Sequence, residues 1–152
     1  MSSETMPGDR VTVGGDEVVL RVTSRETAGA LVAFDVRMPA GGGPPMLHRH
    51  DPFELYRVER GEFAFYLEDD DGEVRRSVAG AGAVVAIPAG REHTIRNESE
   101  DEAHALVVFS PGAGMERFLR AAGALEAPER QAMLALASAH GIEFTRPLEG
   151  AV

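Results

Sequence analysis

Residues 42–61 read GGPPMLHRHDPFELYRVERG, and this stretch decides the fold. His48 and His50 stand two apart, and residues two apart on an extended strand share a face, so both imidazoles reach one point in space. Glu54 follows four residues later with the same parity. A second stretch, GAVVAIPAGREHTIRN over residues 82–97, sets His93 after a Pro88-Ala89-Gly90 turn, and a strand laid beside the first would add a third imidazole. Three neutral imidazoles and one carboxylate make a nitrogen and oxygen site suited to iron, manganese, nickel or zinc. Cysteine is absent, which excludes disulfides, thiol nucleophiles and Cys-ligated clusters, so any metal must be held by His, Asp or Glu.

Outward from these stretches the chain is punctuated by 17 Gly and 9 Pro, which separate short apolar runs. Eight strands are expected: Glu17 to Thr23, Ala30 to Met38, Phe53 to Glu59, Glu62 to Glu68, Glu73 to Val78, Ala83 to Ile87, His93 to Asn97 and Ala103 to Phe109. That number argues for an all-β sandwich or barrel. Glu62 to Val78 reads as a hairpin with Asp71-Gly72 in its turn, and the two-residue period sends Phe63, Phe65 and Leu67 inward. After Pro111-Gly112 the period becomes helical, with Met115, Phe118, Leu119 and Ala122 on one face. A second helix is expected from Pro128 through Met133, Leu134 and Ala137 to a Gly141 cap, and GIEFTRP then returns to extended structure.

The chain has 152 residues, the length of one domain, and 15 Lys plus Arg against 25 Asp plus Glu give a net charge of −10. Such a charge repels phosphate backbones and anionic lipid surfaces, so nucleic acid and membrane are not expected partners. No apolar run has the length of a membrane span, and MSSETMPGDR lacks the regions of a signal peptide, so a cytoplasmic location is expected.

Gly42, five residues, His48-X-His50, three residues, Glu54, six residues and Gly61 resemble the first motif of the cupin superfamily. Gly82, five residues, Pro88-X-Gly90, two residues, His93, three residues and Asn97 resemble the second, and no motif position departs from the pattern. The motifs and flanking strands cover residues 30–110, and the later SPGAGMERFLRAAG and AHGIEFTRP look like the tail of small single-domain cupins described as quercetin-dioxygenase-like. The resemblance implies an all-β double-stranded β-helix, a jelly-roll barrel, with one or two C-terminal α-helices. A disordered N-terminus is expected over residues 1–10, with the barrel over 11–110 and a helical extension packed on it over 111–152. The resemblance further implies one divalent transition metal per chain, iron, manganese, nickel or zinc, held by His48, His50, Glu54 and His93. Asn97 is expected to bond a turn rather than a metal. Gly61, Gly82 and Gly90 are expected in turns.

The activity implied is that of a metal-dependent oxidoreductase, a dioxygenase-like enzyme acting on a small enol or phenol. Glu54 matches the position of a ligand that also accepts the substrate hydroxyl proton, which makes it the catalytic candidate. The alternatives are a non-catalytic small-ligand-binding cupin, or a metal-dependent isomerase or lyase of a sugar or keto acid. A homodimer is implied, paired through a strand over Val11 to Thr23. His104 and His140 are read as a solvated strand residue and a helix-end residue, and the acidic runs at residues 68–71 and 98–102 as solvated loops. Phe53, Phe63, Phe65 and Phe109 are read as core, and Arg37, Tyr56 and Arg96 are left out of the catalytic set.

Overall fold

Alternation of period two writes most of this chain as strands. Between Ala103 and Ser110 the side chains of Ala103, Ala105, Val107 and Phe109 are buried, and the four between them are half-exposed. The computed structural model describes residues 9–125 and 130–148. Within them lie β1 (Arg10–Val13), β2 (Asp16–Val22), β3 (Val32–Met38), β4 (Met46–Arg49), β5 (Phe53–Arg60) and β6 (Glu62–Glu68). Then come β7 (Val74–Gly80), β8 (Val84–Ile87), β9 (His93–Arg96), β10 (Ala103–Ser110), α1 (Ala113–Gly123), α2 (Arg130–Ala139) and β11 (Glu143–Pro147).

The strands form two antiparallel sheets, one in the order β1-β2-β3-β10-β5-β8 and the other in the order β11-β4-β9-β6-β7. From β3 to β6 the chain changes sheet at every step, and again from β7 to β10, which is the jelly-roll form of the double-stranded β-helix. Between the sheets sit Val32, Val58, Phe63, Phe65 and Val107, all essentially without solvent contact. Phe63 and Phe65 point inward as the hairpin parity predicts, while Leu67 is only half-buried near the end of β6.

Several boundaries differ from expectation. The segment Val11 to Thr23 is a hairpin and not one strand. Gly14 and Gly15 take φ of +59° and +100°, supply a two-residue turn, and bring Val13 opposite Asp16. The strand expected from Ala30 begins at Val32, because the preceding residues form turns in which the Thr27 hydroxyl bonds both N and O of Leu31. β4 was outside the expected strands, since four residues after Gly-Gly-Pro-Pro are too short to show a period. The extended return over GIEFTRP is β11, which pairs with β4. Of the N-terminal residues 1–10, only Asp9 and Arg10 are described, and Arg10 opens β1. Gly61 joins β5 to β6 with φ +72°, and a Cβ there would stand 2.9 Å from the Glu102 carbonyl oxygen, so the turn requires glycine.

α1 buries Met115, Phe118, Leu119 and Ala122, the face its spacing predicts, and packs against β1, β3 and α2. The expected helix start at Pro128 lies outside the described residues. α2 closes with Gly141 N–H donating to Ser138 O and Ile142 N–H to Ala137 O, a Schellman end that turns the chain into β11. No described helix is long and apolar enough to cross a membrane.

Candidate metal centre

The two histidines of the first motif sit where β4 ends, the carboxylate where β5 begins. His48 lies inside β4 and His50 immediately after it. Asp51-Pro52 then carry the chain into the other sheet, and Glu54, the second residue of β5, faces back toward them. His93 opens β9 and stands directly opposite His48 in the β4–β9 ladder. One sheet thus supplies three imidazoles and the other the carboxylate. All four are buried, Glu54 at 3% and His93 at 1% exposure.

The ligand atoms of His48, His50 and His93 lie within 4.8 Å of one another, and this is the group of donors among the described residues that could hold a metal ion. Glu54 joins it through two imidazoles, with Oε1 3.0 Å from His50 Nε2 and 3.2 Å from His93 Nε2. The opposite ring nitrogens are already committed. His48 Nδ1 donates to Met46 O at 3.1 Å, His50 Nδ1 to Pro52 O at 2.9 Å and His93 Nδ1 to Arg91 O at 2.8 Å. A carbonyl can only accept, so each Nδ1 carries the proton and each Nε2 lone pair is left facing the centre. Unprotonated Nε2 atoms and a carboxylate oxygen at 3.0–3.2 Å are acceptors facing acceptors, and they are stable only around a shared cation, either a proton or a metal. The donor set fits a first-row transition metal.

The electrostatics run the same way. Where the shared cation is a proton, burial alone would raise the Glu54 carboxyl, but the protonated Nε2 atoms of His50 and His93 donate to it, and with their charge they hold it well below the usual carboxylate range. Burial and the neighbouring His93 push His48 down to about 4, so its imidazole is neutral. His93 is raised, because its bond to Glu54 and that charge overcome its burial. Tyr56, buried on β5 two residues beyond Glu54, is raised well above the usual phenol range by burial and by the Glu54 charge, and presents a neutral hydroxyl beside that carboxylate.

Around these residues stands a supporting shell. Glu92, 7% exposed, accepts from the Thr145 hydroxyl and from Arg146 at 3.0 Å, with Arg49 at 3.9 Å, and so ties the start of β9 to β4 and β11. The Phe144 ring of β11 packs 5.5 Å from the His48 ring, and Phe109 of β10 packs 5.3 Å from His50. Asn97 is fully buried, donating to Met38 O and Asp101 O and accepting from Ser99 N–H, a turn-binding role as its motif position implies.

A cavity of about 400 Å³ opens from this cluster. Its polar residues are Asp16, His48, His50, Glu54 and Tyr56, and its remaining wall is apolar side chains and glycine, including Phe118 of α1 and Met133 of α2. Both helices therefore line the pocket. Phe109 lines it as well as packing in the core, whereas Phe63 and Phe65 are core alone. Arg37 faces away, in a charged depression on the outer side of its sheet, and Arg96 donates to the carbonyls of Gly41 and Gly43. His104 pairs with Glu102 at 2.6 Å, and His140 bonds Leu136 O at the end of α2. Asp69 of the first acidic run accepts from Asp71 N–H and Glu73 N–H, and Glu98 of the second pairs with Arg76.

The cupin-domain family model matches residues 34–109, half of the chain. The chain belongs to the cupin family. Among solved structures, this cupin is similar to oxalate decarboxylase from Bacillus subtilis, with TM-score 0.58 and 26% identity over 68% of this chain and 27% of that one. It also shares its fold with an oxalate oxidase, with TM-score 0.56 and 24% identity over 74% of this chain and 59% of that one. The cupin thus spans about a quarter of the decarboxylase and under two thirds of the oxidase. No curated protein matches it.

Sequence reasoning missed Asp16 and Glu92 and set Tyr56 aside. For Asp16 a signal existed, an acidic residue sharing strand parity with Val18 and Leu20. Glu92 and Phe144 carried none, because their roles depend on which strands become neighbours.

Proposed function

We propose that this cupin is a metal-dependent oxidoreductase of dioxygenase type, acting on a small, largely apolar enol or phenol, with the metal held by His48, His50, Glu54 and His93. The observation that supports it most is the convergence of buried acceptor atoms at one end of an apolar cavity of about 400 Å³. Iron, manganese, nickel or zinc held there would supply Lewis acidity toward a substrate oxygen and, for the redox-active ions, chemistry with O₂.

The chain's own residues do the rest. Three backbone carbonyls fix the imidazole orientation. Glu54, ionised and buried, receives the substrate hydroxyl proton on a carboxylate oxygen, and the neutral Tyr56 hydroxyl beside it steadies that carboxylate. Phe109, Phe144 and the helix side chains keep water away from the centre.

Oxalate chemistry, named for the similar structures, does not suit this cavity. Beyond the metal itself, a dianion would meet a largely apolar wall, the Glu54 carboxylate and no Arg or Lys among the described lining. The apolar wall equally disfavours sugars. The proposed assembly is a homodimer in the cytoplasm, with β1, an edge strand paired on one side only, as the contact. The test is O₂ uptake against flavonols, β-diketones and catechols after reconstitution with Fe(II), Mn(II) or Ni(II). Uptake with any of these supports the oxidoreductase, and metal binding without uptake on the panel replaces it with a binding protein or an isomerase.

A further inference from the structure

The β1–β2 hairpin delivers Asp16, Val18 and Leu20 to one face of β2, and Glu17, Val19 and Arg21 to the other, where they line the outer charged depression. Val18 and Leu20 are each 3% exposed. Asp16 therefore occupies an inward position at which the strand pattern calls for an apolar side chain. Its Oδ1 is buried without a hydrogen-bond partner. The same residue lines the cavity that contains His48, His50, Glu54 and Tyr56, and these five are the cavity's titratable side chains among the described residues.

Buried acceptors in folded proteins are nearly always paired, because an unpaired one forfeits its hydration with nothing in return. The charged neighbours do not supply the missing bond. Arg96 reaches Asp16 through its field while its guanidinium donates to Gly41 and Gly43, and the Tyr56 phenol is held at Glu54. Burial drives the Asp16 carboxyl up to about 7, with Arg96 countering only part of the rise, as befits an oxygen short of donors.

We infer that Asp16 determines specificity in this pocket: the ligand sets one oxygen at the His48, His50, Glu54 and His93 end and donates a hydrogen bond from a second hydroxyl or amine to Asp16 Oδ1, its apolar skeleton lying between. The inference rests on the reading of this cavity as a substrate site. It selects, within the class of small enols and phenols, those carrying a further donor away from the reacting oxygen.

The test compares 2-naphthol with its 2,6-dihydroxy and 2,7-dihydroxy analogues, titrated by fluorescence into the full chain with its metal, as wild type, Asp16→Leu and Asp16→Asn. At least one two-hydroxyl probe should bind wild type about tenfold more tightly than 2-naphthol. That preference should vanish in Asp16→Leu, and fall to about threefold in Asp16→Asn, which keeps an acceptor without its charge. Asp16→Asn decides the matter if Asp16→Leu does not fold. No preference in wild type, or a preference undiminished in the variants, overturns the inference and leaves Oδ1 satisfied by water. O₂ uptake read on the same samples separates the two readings. Preference without uptake removes the oxidoreductase and keeps Asp16 as the recognition residue, while uptake without preference does the reverse.

Discussion

His48 and His93 face each other across the β4–β9 ladder with ring centroids 4.5 Å apart, each holding its Nδ1 proton on a carbonyl two residues earlier in its own segment. Neither ring can turn without losing that bond, so both Nε2 atoms are held toward the centre before any ligand arrives. The arrangement is preorganised, and the chemistry proposed for it depends on what Glu54 adds.

Replacing Glu54 by Gln keeps the side-chain shape and one coordinating oxygen but removes the proton acceptor. Turnover in the O₂ electrode should fall by about 10²–10⁴-fold, the usual worth of a positioned general base. Metal content should be largely retained. Turnover at the wild-type rate would remove Glu54 from the base role.

Glu92→Ala leaves Thr145, Arg146 and Arg49 without their shared acceptor and frees β11 from the start of β9. The effect should reach the metal, because Phe144 of β11 packs on His48. Metal affinity measured by competition with a chelator should weaken by about 10-fold or more, the scale of losses around other metal sites. Affinity equal to wild type would confine Glu92 to a structural role.

The Asp16 carboxyl has a sign that can be checked. Its folded-state value of about 7 lies above the ordinary aspartate value of 3.8 because burial disfavours the charge, despite Arg96. A raised value means that stability is fully present below the unfolded value and is lost as pH rises through the folded one. Asp16→Asn should therefore unfold at the same denaturant midpoint as wild type below pH 4. Above pH 7 it should be more stable by an amount on the order of a few kcal/mol. A gap that does not grow between those limits would contradict the desolvation of this carboxyl and its partnerless Oδ1.

Gly61→Ala places a Cβ 2.9 Å from the Glu102 carbonyl at a φ of +72°. The cost should be about 1–3 kcal/mol in urea unfolding. A neutral substitution would mean that the β5–β6 turn relaxes freely.

How much of this was legible in the sequence follows from the range of each interaction. His48 and His50 stand two apart, and strand parity brings their rings together, whereas Glu54 was legible only through its motif, because it returns from the other sheet after Asp51-Pro52. His93 was legible because its motif fixes the turn before β9. The inward Phe63 and Phe65 and the buried face of α1 follow from local period as well. Asp16, Glu92, Phe144 and Thr145 act through register between distant strands. Parity could show that Asp16 shares a face with Val18, but not that this face opens on the same cavity as Glu54. β4 and β11, of four and five residues, are set by pairing with each other rather than by any repeat of their own. Gly14-Gly15 was a visible turn signal, and reading through it merged β1 with β2.

The most direct test of the account is elemental analysis of protein purified without chelator or a nickel column, beside His48→Ala. Iron, manganese, nickel or zinc should approach one ion per chain in wild type, and His48→Ala should bind it about 100-fold more weakly. Metal equally abundant in both proteins, or absent from wild type after reconstitution with each of the four ions, would contradict it.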